Sequence, residues 1–187
     1  MNRKLVFILS IFLLSSVTAF AQATQEKSVT VFGAKINYVE LGDASKSKVI
    51  LLHGLGGSIG NWSSNTAAFA ASHHVFALDQ VGFGKSDKPF MKYRVAMYVD
   101  FLDKFMSELK IEKASLVGNS MGGWVAGLMA IKYPNRVEKI VLADAAGIVP
   151  ANYSEADVYQ LNNSTRDEIR ANLKRIFATP ALQNNEA

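Results

Sequence analysis

Gly118-Asn119-Ser120-Met121-Gly122 lies between an apolar, strand-like run, Ala114-Ser115-Leu116-Val117, and a helix-compatible run that begins at Met121. In that setting a Gly-x-Ser-x-Gly reads as a nucleophile elbow, a tight strand-to-helix turn that lifts the serine hydroxyl clear of its neighbours. Glycines at 118 and 122 fit the crowding of backbone against backbone in such a turn. A chance pentapeptide in a loop would not carry a strand before it and a helix after it.

Outward from the elbow, apolar runs and helix-like runs alternate. Upstream, Ser28 to Phe32 and Lys35 to Leu41 read as two strands of a hairpin joined at Gly33-Ala34, rich in β-branched and aromatic residues. Lys48 to Leu52 is continuously apolar after its lysine, as expected of a parallel strand covered on both faces. Trp62 to Ala71 is helix-compatible, and Val75 to Leu78 is a second buried strand that ends at Asp79. Tyr98, Leu102, Phe105 and Leu109 recur on one face of a helix expected over Tyr93 to Leu109. Downstream, the elbow helix runs to about Tyr133, stopped by Pro134-Asn135, and Val137 to Ala143 is another apolar strand. The alternation predicts an α/β domain with a mostly parallel sheet flanked by helices. Beyond Gly147 the pattern changes to two polar helices, Ser154 to Leu161 and Thr165 to Phe177.

An oxyanion hole requires two backbone donors aimed at the developing negative charge. Met121, directly after the serine and at a helix N-terminus, is one candidate. The second is expected in His53-Gly54-Leu55-Gly56-Gly57, with Leu55 preferred and Gly56 as its alternative.

His53-Gly54-Leu55-Gly56-Gly57, Asp79-Gln80-Val81-Gly82-Phe83-Gly84-Lys85-Ser86-Asp87 and Gly118-Asn119-Ser120-Met121-Gly122-Gly123 together resemble the α/β-hydrolase fold family. Within it the last motif is similar to that of meta-cleavage-product hydrolases and related serine esterases. The resemblance covers residues 28 to 147 and the start of a helical lid. It implies Ser120 as nucleophile, structural roles for His53 and Asp79, no cofactor, and a small, largely apolar ester or carbon–carbon bond as substrate. The serine argues against the dehalogenases and epoxide hydrolases of the family, which place an aspartate there.

The family's order of catalytic groups is nucleophile, acid, histidine. The three histidines here, His53, His73 and His74, all precede Ser120. Asp144, at the end of the strand after the elbow helix, is a candidate orienting acid, though a solvated or amide-binding strand-end aspartate is the favoured reading. The sequence therefore reads as C-terminally truncated: residues 22–147 as the N-terminal part of the core, and 148–187 as the start of an incomplete lid. The strand 137–143 is expected at a sheet edge, where unpaired backbone invites self-association. A non-catalytic remnant or binding protein that keeps the fold is the competing reading.

Composition narrows the remaining classes. The 187 residues, 49% hydrophobic, suit one globular domain with a real core. Asn2-Arg3-Lys4, the apolar run Leu5 to Leu14 and Ala19-Phe20-Ala21 form a signal-peptide pattern over residues 1–21, so export to the periplasm or medium is expected, with no stable membrane anchor after cleavage. With no cysteine there is neither disulfide nor thiolate metal site. Without Arg3 and Lys4, 18 basic residues face 16 acidic ones and are scattered, which gives no nucleic-acid footprint. A dinucleotide fingerprint would need glycine where Ile59 stands, and a phosphate-binding loop would need glycine at Asp79.

Overall fold

A computed structural model of the protein describes residues 25–148. The chain divides into two compact units, residues 1–147 and 148–187. The expected signal segment and the two polar helices lie outside the described residues.

Among the described residues six strands form one sheet: β1 (Glu26–Val31), β2 (Ala34–Leu41), β3 (Lys48–Leu52), β4 (His74–Leu78), β5 (Ala114–Asn119) and β6 (Val137–Ala143). Their spatial order is β1-β2-β4-β3-β5-β6. The first three in that order pair antiparallel, and β4, β3, β5 and β6 run parallel. Helix α1 (Ser63–Ala70) connects β3 to β4, α2 (Val95–Glu108) connects β4 to β5, and α3 (Met121–Lys132) connects β5 to β6. Because β4 and β5 flank β3, the β4–α2–β5 connection crosses over it.

The continuous apolar character of the central strands follows from this layering. Ile50, Leu52, Phe76, Leu78 and Leu116 point into one core with Val99, Leu102 and Phe105 of α2 and Val125 and Met129 of α3. Their neighbours Val49, Leu51, Val75, Ala77 and Val117 point the other way, onto Trp62 and Phe69. A strand buried on both faces has no polar position to spare, so the alternation of a one-sided strand is missing. Each fully buried aliphatic or aromatic side chain contributes about 1.5–3 kcal/mol.

Expectation and structure differ in detail at the hairpin. Val31 pairs with Ala34, so the two-residue turn is Phe32-Gly33, one position earlier than Gly33-Ala34. Both turn residues have positive φ, 48° and 82°, as the twist of a tight hairpin requires. Sequence pattern alone placed Phe32 in the strand because an aromatic residue is rarely found in that conformation. The expected helix at Trp62 begins as a 3₁₀ turn over Ile59–Trp62, capped by the hydroxyl of Ser58 on the Gly60 N–H.

Among the described residues β6 forms a sheet edge, with Ile140, Val141 and Leu142 partly exposed. The three parallel connections all direct the carboxyl ends of β3, β4 and β5 to one edge, where the loops carrying His53, Asp79 and Ser120 lie.

Candidate active site

Ser120 sits between the end of β5 and the first residue of α3, with φ 51° and ψ −118°. Few non-glycine residues adopt that conformation, and holding it costs about 1–3 kcal/mol. The surrounding backbone fixes it. The Ser120 N–H donates to the Ala143 carbonyl at 3.1 Å, and the Ser120 carbonyl accepts from Trp124 at 3.2 Å and from Ala146 at 3.0 Å. The Asn119 side-chain amide donates to the same Ala143 oxygen at 3.2 Å. The end of β6 therefore braces the turn from one side.

Two glycines allow the turn to form. A Cβ on Gly118 would lie 2.2 Å from the Gly122 carbonyl oxygen, and one on Gly122 would lie 2.2 Å from the Leu52 carbonyl oxygen. Both obstacles are backbone, so no rotamer change relieves them. Gly123 has a different neighbour. A Cβ there would meet the Cβ of Ala145 at 2.5 Å, so this residue admits the loop after β6 rather than the sheet.

The loop after β3 approaches Ser120 from the other side. A Cβ on Gly54 would lie 3.1 Å from that of Ser120. The Gly57 N–H donates to the Gly54 carbonyl at 3.1 Å, closing a turn with Gly56 at φ 73° in its third position. Leu55 is the second residue of this turn and is exposed. Met121 opens α3, so its N–H is one of the helix's first four, which have no partner within the helix.

His53 is fully buried and both of its ring nitrogens are committed. Nδ1 lies 2.7 Å from the Gly54 carbonyl oxygen, to which only an N–H can bond. Nε2 then accepts the Gln80 backbone N–H at 2.9 Å. The Gln80 side-chain amide returns a bond to the His53 carbonyl at 2.7 Å. Burial pushes the His53 pKa below its ordinary value, against the opposing hydrogen bond to Gly54 and the charge of Asp79. The ring is a neutral strut between the two loops and has no nitrogen left for Ser120.

Asp79 is a second strut. Its carboxylate accepts from the Ile59 N–H at 2.7 Å, the Lys85 N–H at 2.8 Å and the Asn37 side-chain amide at 2.9 Å. The Ser86 hydroxyl donates to the Asp79 carbonyl at 2.6 Å and accepts the Asn37 N–H at 2.8 Å. Asn37, Gln80 and Ser86 were not singled out by sequence. Gln80 and Ser86 lay in a quoted motif without a role of their own, and nothing local marks Asn37.

None of the remaining candidates bonds the Ser120 side chain among the described residues. Asp144 follows β6 with φ 49° and is exposed, and no donor among the described residues bonds its side chain. Lys48 pairs with His74 and Leu52 with both Leu78 and Gly118, so His74 is at the amino end of the strands. Four residues of strand, about 13 Å, separate that end from the elbow. There His74 bonds Glu40 at 2.8 Å, while His73 bonds the Ser72 hydroxyl at 2.8 Å. Near the elbow Met121 is buried, Phe83 packs on the core and Trp124 is partly exposed. No cluster of potential metal ligands occurs among the described residues.

Comparison with known proteins bears on this geometry. The profile described as alpha/beta hydrolase fold matches residues 48–186. A dihydrolipoyllysine-residue acetyltransferase component of an acetoin cleaving system from Cupriavidus necator is 32% identical over 159 residues, covering 83% of this chain and 41% of that protein. A crystal structure of a membrane phospholipase A, a bacterial virulence factor, superposes with a TM-score of 0.71 at 32% identity, over 81% of this chain and 51% of the other. A variant of the meta-cleavage product hydrolase CumD superposes with a TM-score of 0.67 at 35% identity, over 81% and 56%. The chain spans about half the length, or less, of these relatives.

Proposed function

Because the chain belongs to the α/β-hydrolase fold family, we propose that it serves a serine hydrolase reaction with Ser120 as nucleophile, on a small, largely apolar ester or carbon–carbon bond substrate. The observation that carries this reading is the backbone of Ser120, held at φ 51° and ψ −118° on the carboxyl edge of the sheet. Strain of this kind persists only where the surroundings impose it, and it clusters at reactive positions. The likeness to a meta-cleavage product hydrolase supports the substrate class.

In the proposed reaction the Ser120 Oγ attacks the substrate carbonyl carbon. The new C–O bond forms as the carbonyl π pair moves to oxygen, and the hydroxyl proton passes to a general base. The N–H groups of Met121 and Leu55 hold the oxyanion, with Gly56 as the alternative to Leu55. The leaving group departs with a proton, and water then releases the acyl group. His53 cannot be the base, because its protonated Nδ1 and its accepting Nε2 are both used. His73 and His74 are at the wrong end of the strands. Asp144 stands close enough in sequence to the Ala143 brace to serve as an orienting acid, and this role is part of the proposal.

A second reading is a fold that binds substrate without turnover, favoured by the commitment of both His53 ring nitrogens to the loop backbone. Covalent labelling with a fluorophosphonate separates the two. Labelling of the folded chain that disappears in Ser120→Ala supports the nucleophile, and folded protein that remains unlabelled supports binding alone. Export and self-association through β6 are further parts of the proposal, tested by fractionation of cells and by sedimentation.

A further inference from the structure

The loop from Gly82 to Arg94 contains a side-chain arrangement that the elbow does not use. Its base is closed by Tyr93, whose hydroxyl donates to the Pro89 carbonyl at 2.7 Å and whose ring packs where a Cβ on Gly82 would lie. Lys88 stiffens it further by donating to the carbonyls of Gly84 at 2.7 Å and Ser86 at 3.1 Å. The tip left between Pro89 and Tyr93 is Phe90-Met91-Lys92. Phe90 has a relative exposure of 109%, so a large apolar ring is held wholly in water by a built loop.

A second exposed aromatic residue, Phe32, lines one depression with Met91 of the tip. Phe32 is 62% exposed at the hairpin turn and accepts a left-handed backbone there. A turn of this type ordinarily takes Asn or Asp before its glycine. Among the described residues its aromatic partner is Phe101, edge-on at 5.2 Å. Phe32, Lys88, Pro89, Met91 and Phe101 line one open depression of about 790 Å³. Lys88 is part of that lining, Lys35 follows its residue Ala34 in sequence, and Lys92 and Arg94, both exposed, follow Met91 in the loop. Of the two carboxylates at its wall, Asp87 accepts the Lys35 N–H at 2.7 Å and Asp100 is held by Lys132.

We propose that Phe32 and the Phe90-Met91-Lys92 tip form an anchor for an anionic lipid surface, with the aromatic rings at the headgroup boundary and the surrounding cations on lipid phosphates. Charge and size select this partner. Aromatic residues with flanking cations suit a wet, anionic boundary. Two rings and a methionine offer less than the about 800 Å² per side that a stable protein interface needs. The antiparallel register of β2 on β4 puts the Phe32 turn beyond the carboxyl end of β4, on the sheet edge that also carries Ser120. Binding here would bring that edge to the lipid. The proposal concerns the surface alone and does not depend on Ser120 being reactive.

The test is partition of the full chain onto phosphatidylcholine vesicles with and without phosphatidylglycerol. The leader is common to every variant, so differences report the patch. The paired variant Lys92→Gln with Arg94→Gln should weaken binding to anionic vesicles about thirtyfold, from two charges at about 1 kcal/mol each, and leave the weaker binding to phosphatidylcholine unchanged. Phe90→Ser with Met91→Ser should weaken both by about tenfold. Since the chain has no cysteine, a fluorophore on Phe90→Cys reports the tip directly. It should shift to the blue with anionic vesicles, whereas one on Ile131→Cys, exposed at the far end of α3, should not. Equal binding by parent and variants, or equal shifts at both labels, would overturn the proposal. A Phe90 shift on concentrating the protein without lipid would assign the tip to contact between copies and overturn it as well.

Discussion

Gly54 and Ser120 face each other so closely that a Cβ on the glycine would lie 3.1 Å from the serine Cβ, with the Asn119 side-chain oxygen at 3.3 Å. The loop after β3 and the turn after β5 therefore meet at these two residues, and the proposed oxyanion donors, Leu55 and Met121, each follow one of them in sequence. Gly54→Ala adds one methyl group to that space. Because the obstacles include side-chain atoms that can yield a few tenths of an ångström, the fold should survive. The reactive geometry should not. The expected result is a fall of about tenfold or more in the rate of fluorophosphonate labelling, with a loss of stability of about 1 kcal/mol or less in urea titration.

Two glycines of α3 predict opposite outcomes for the same substitution. Gly122→Ala drives a Cβ to within 2.2 Å of the Leu52 carbonyl oxygen and 2.7 Å of the His53 oxygen. Both are backbone atoms, at the end of β3 and just beyond it, so the cost should be about 3 kcal/mol or more. Gly127→Ala meets nothing within 4 Å and lies inside the helix. It should stabilise the protein by about 1 kcal/mol through helix propensity. Thermal unfolding of the two variants beside the parent checks both signs.

Much of this arrangement was legible before any coordinates. The elbow was readable because its glycines, its strand and its helix are contiguous in sequence. The buried strands β3 and β4 were readable because covering on both faces leaves an unbroken apolar run. The insertion of β4 between β2 and β3 was not, since nothing local in a strand records which neighbour it takes. Nor were the partners of the struts: Asn37 reaches Asp79 across 42 residues and Gln80 reaches His53 across 27. The same holds for His74, whose bond to Glu40 spans 34 residues. Such contacts are set by sheet order, so they become visible only with it. Phe32 failed for a different reason. Its residue type argues for a strand, and the tight turn between paired strands overrides that preference.

The buried, neutral His53 predicts a pH dependence of stability. Its folded pKa is lowered, so below the unfolded value of about 6.5 the unfolded chain binds a proton that the folded chain refuses. Stability attributable to this group is therefore complete above about pH 6.5 and declines as pH falls toward the folded pKa, with a slope of at most about 1.4 kcal/mol per pH unit. Glu40 acts in a lower window. Burial alone would raise its pKa, but the hydrogen bonds from Lys27 and His74 outweigh it and lower the pKa. Its contribution is lost only below the ordinary carboxylate range. Urea titrations across pH of the parent and His53→Gln should show the decline below about pH 6.5 in the parent and a smaller one in the variant. Identical slopes would remove His53 as its source.

The strain at Ser120 gives the last prediction, and it separates the backbone from the hydroxyl. Ser120→Ala removes the proposed nucleophile but leaves a Cβ in the same φ 51°, ψ −118° conformation, so it keeps the strain. Ser120→Gly removes both. Relief of about 1–3 kcal/mol in the folded state is opposed by about 0.5–1 kcal/mol from the greater freedom of glycine in the unfolded chain. The glycine variant should therefore be the more stable of the two by about 1 kcal/mol, although neither can be labelled by a fluorophosphonate. The comparison cancels any effect of the missing Oγ, because both variants lack it. If the alanine variant proves as stable as the glycine variant, the bonds to Ala143, Trp124 and Ala146 do not hold position 120 in a strained state. The elbow would then owe its shape to Gly118 and Gly122 alone.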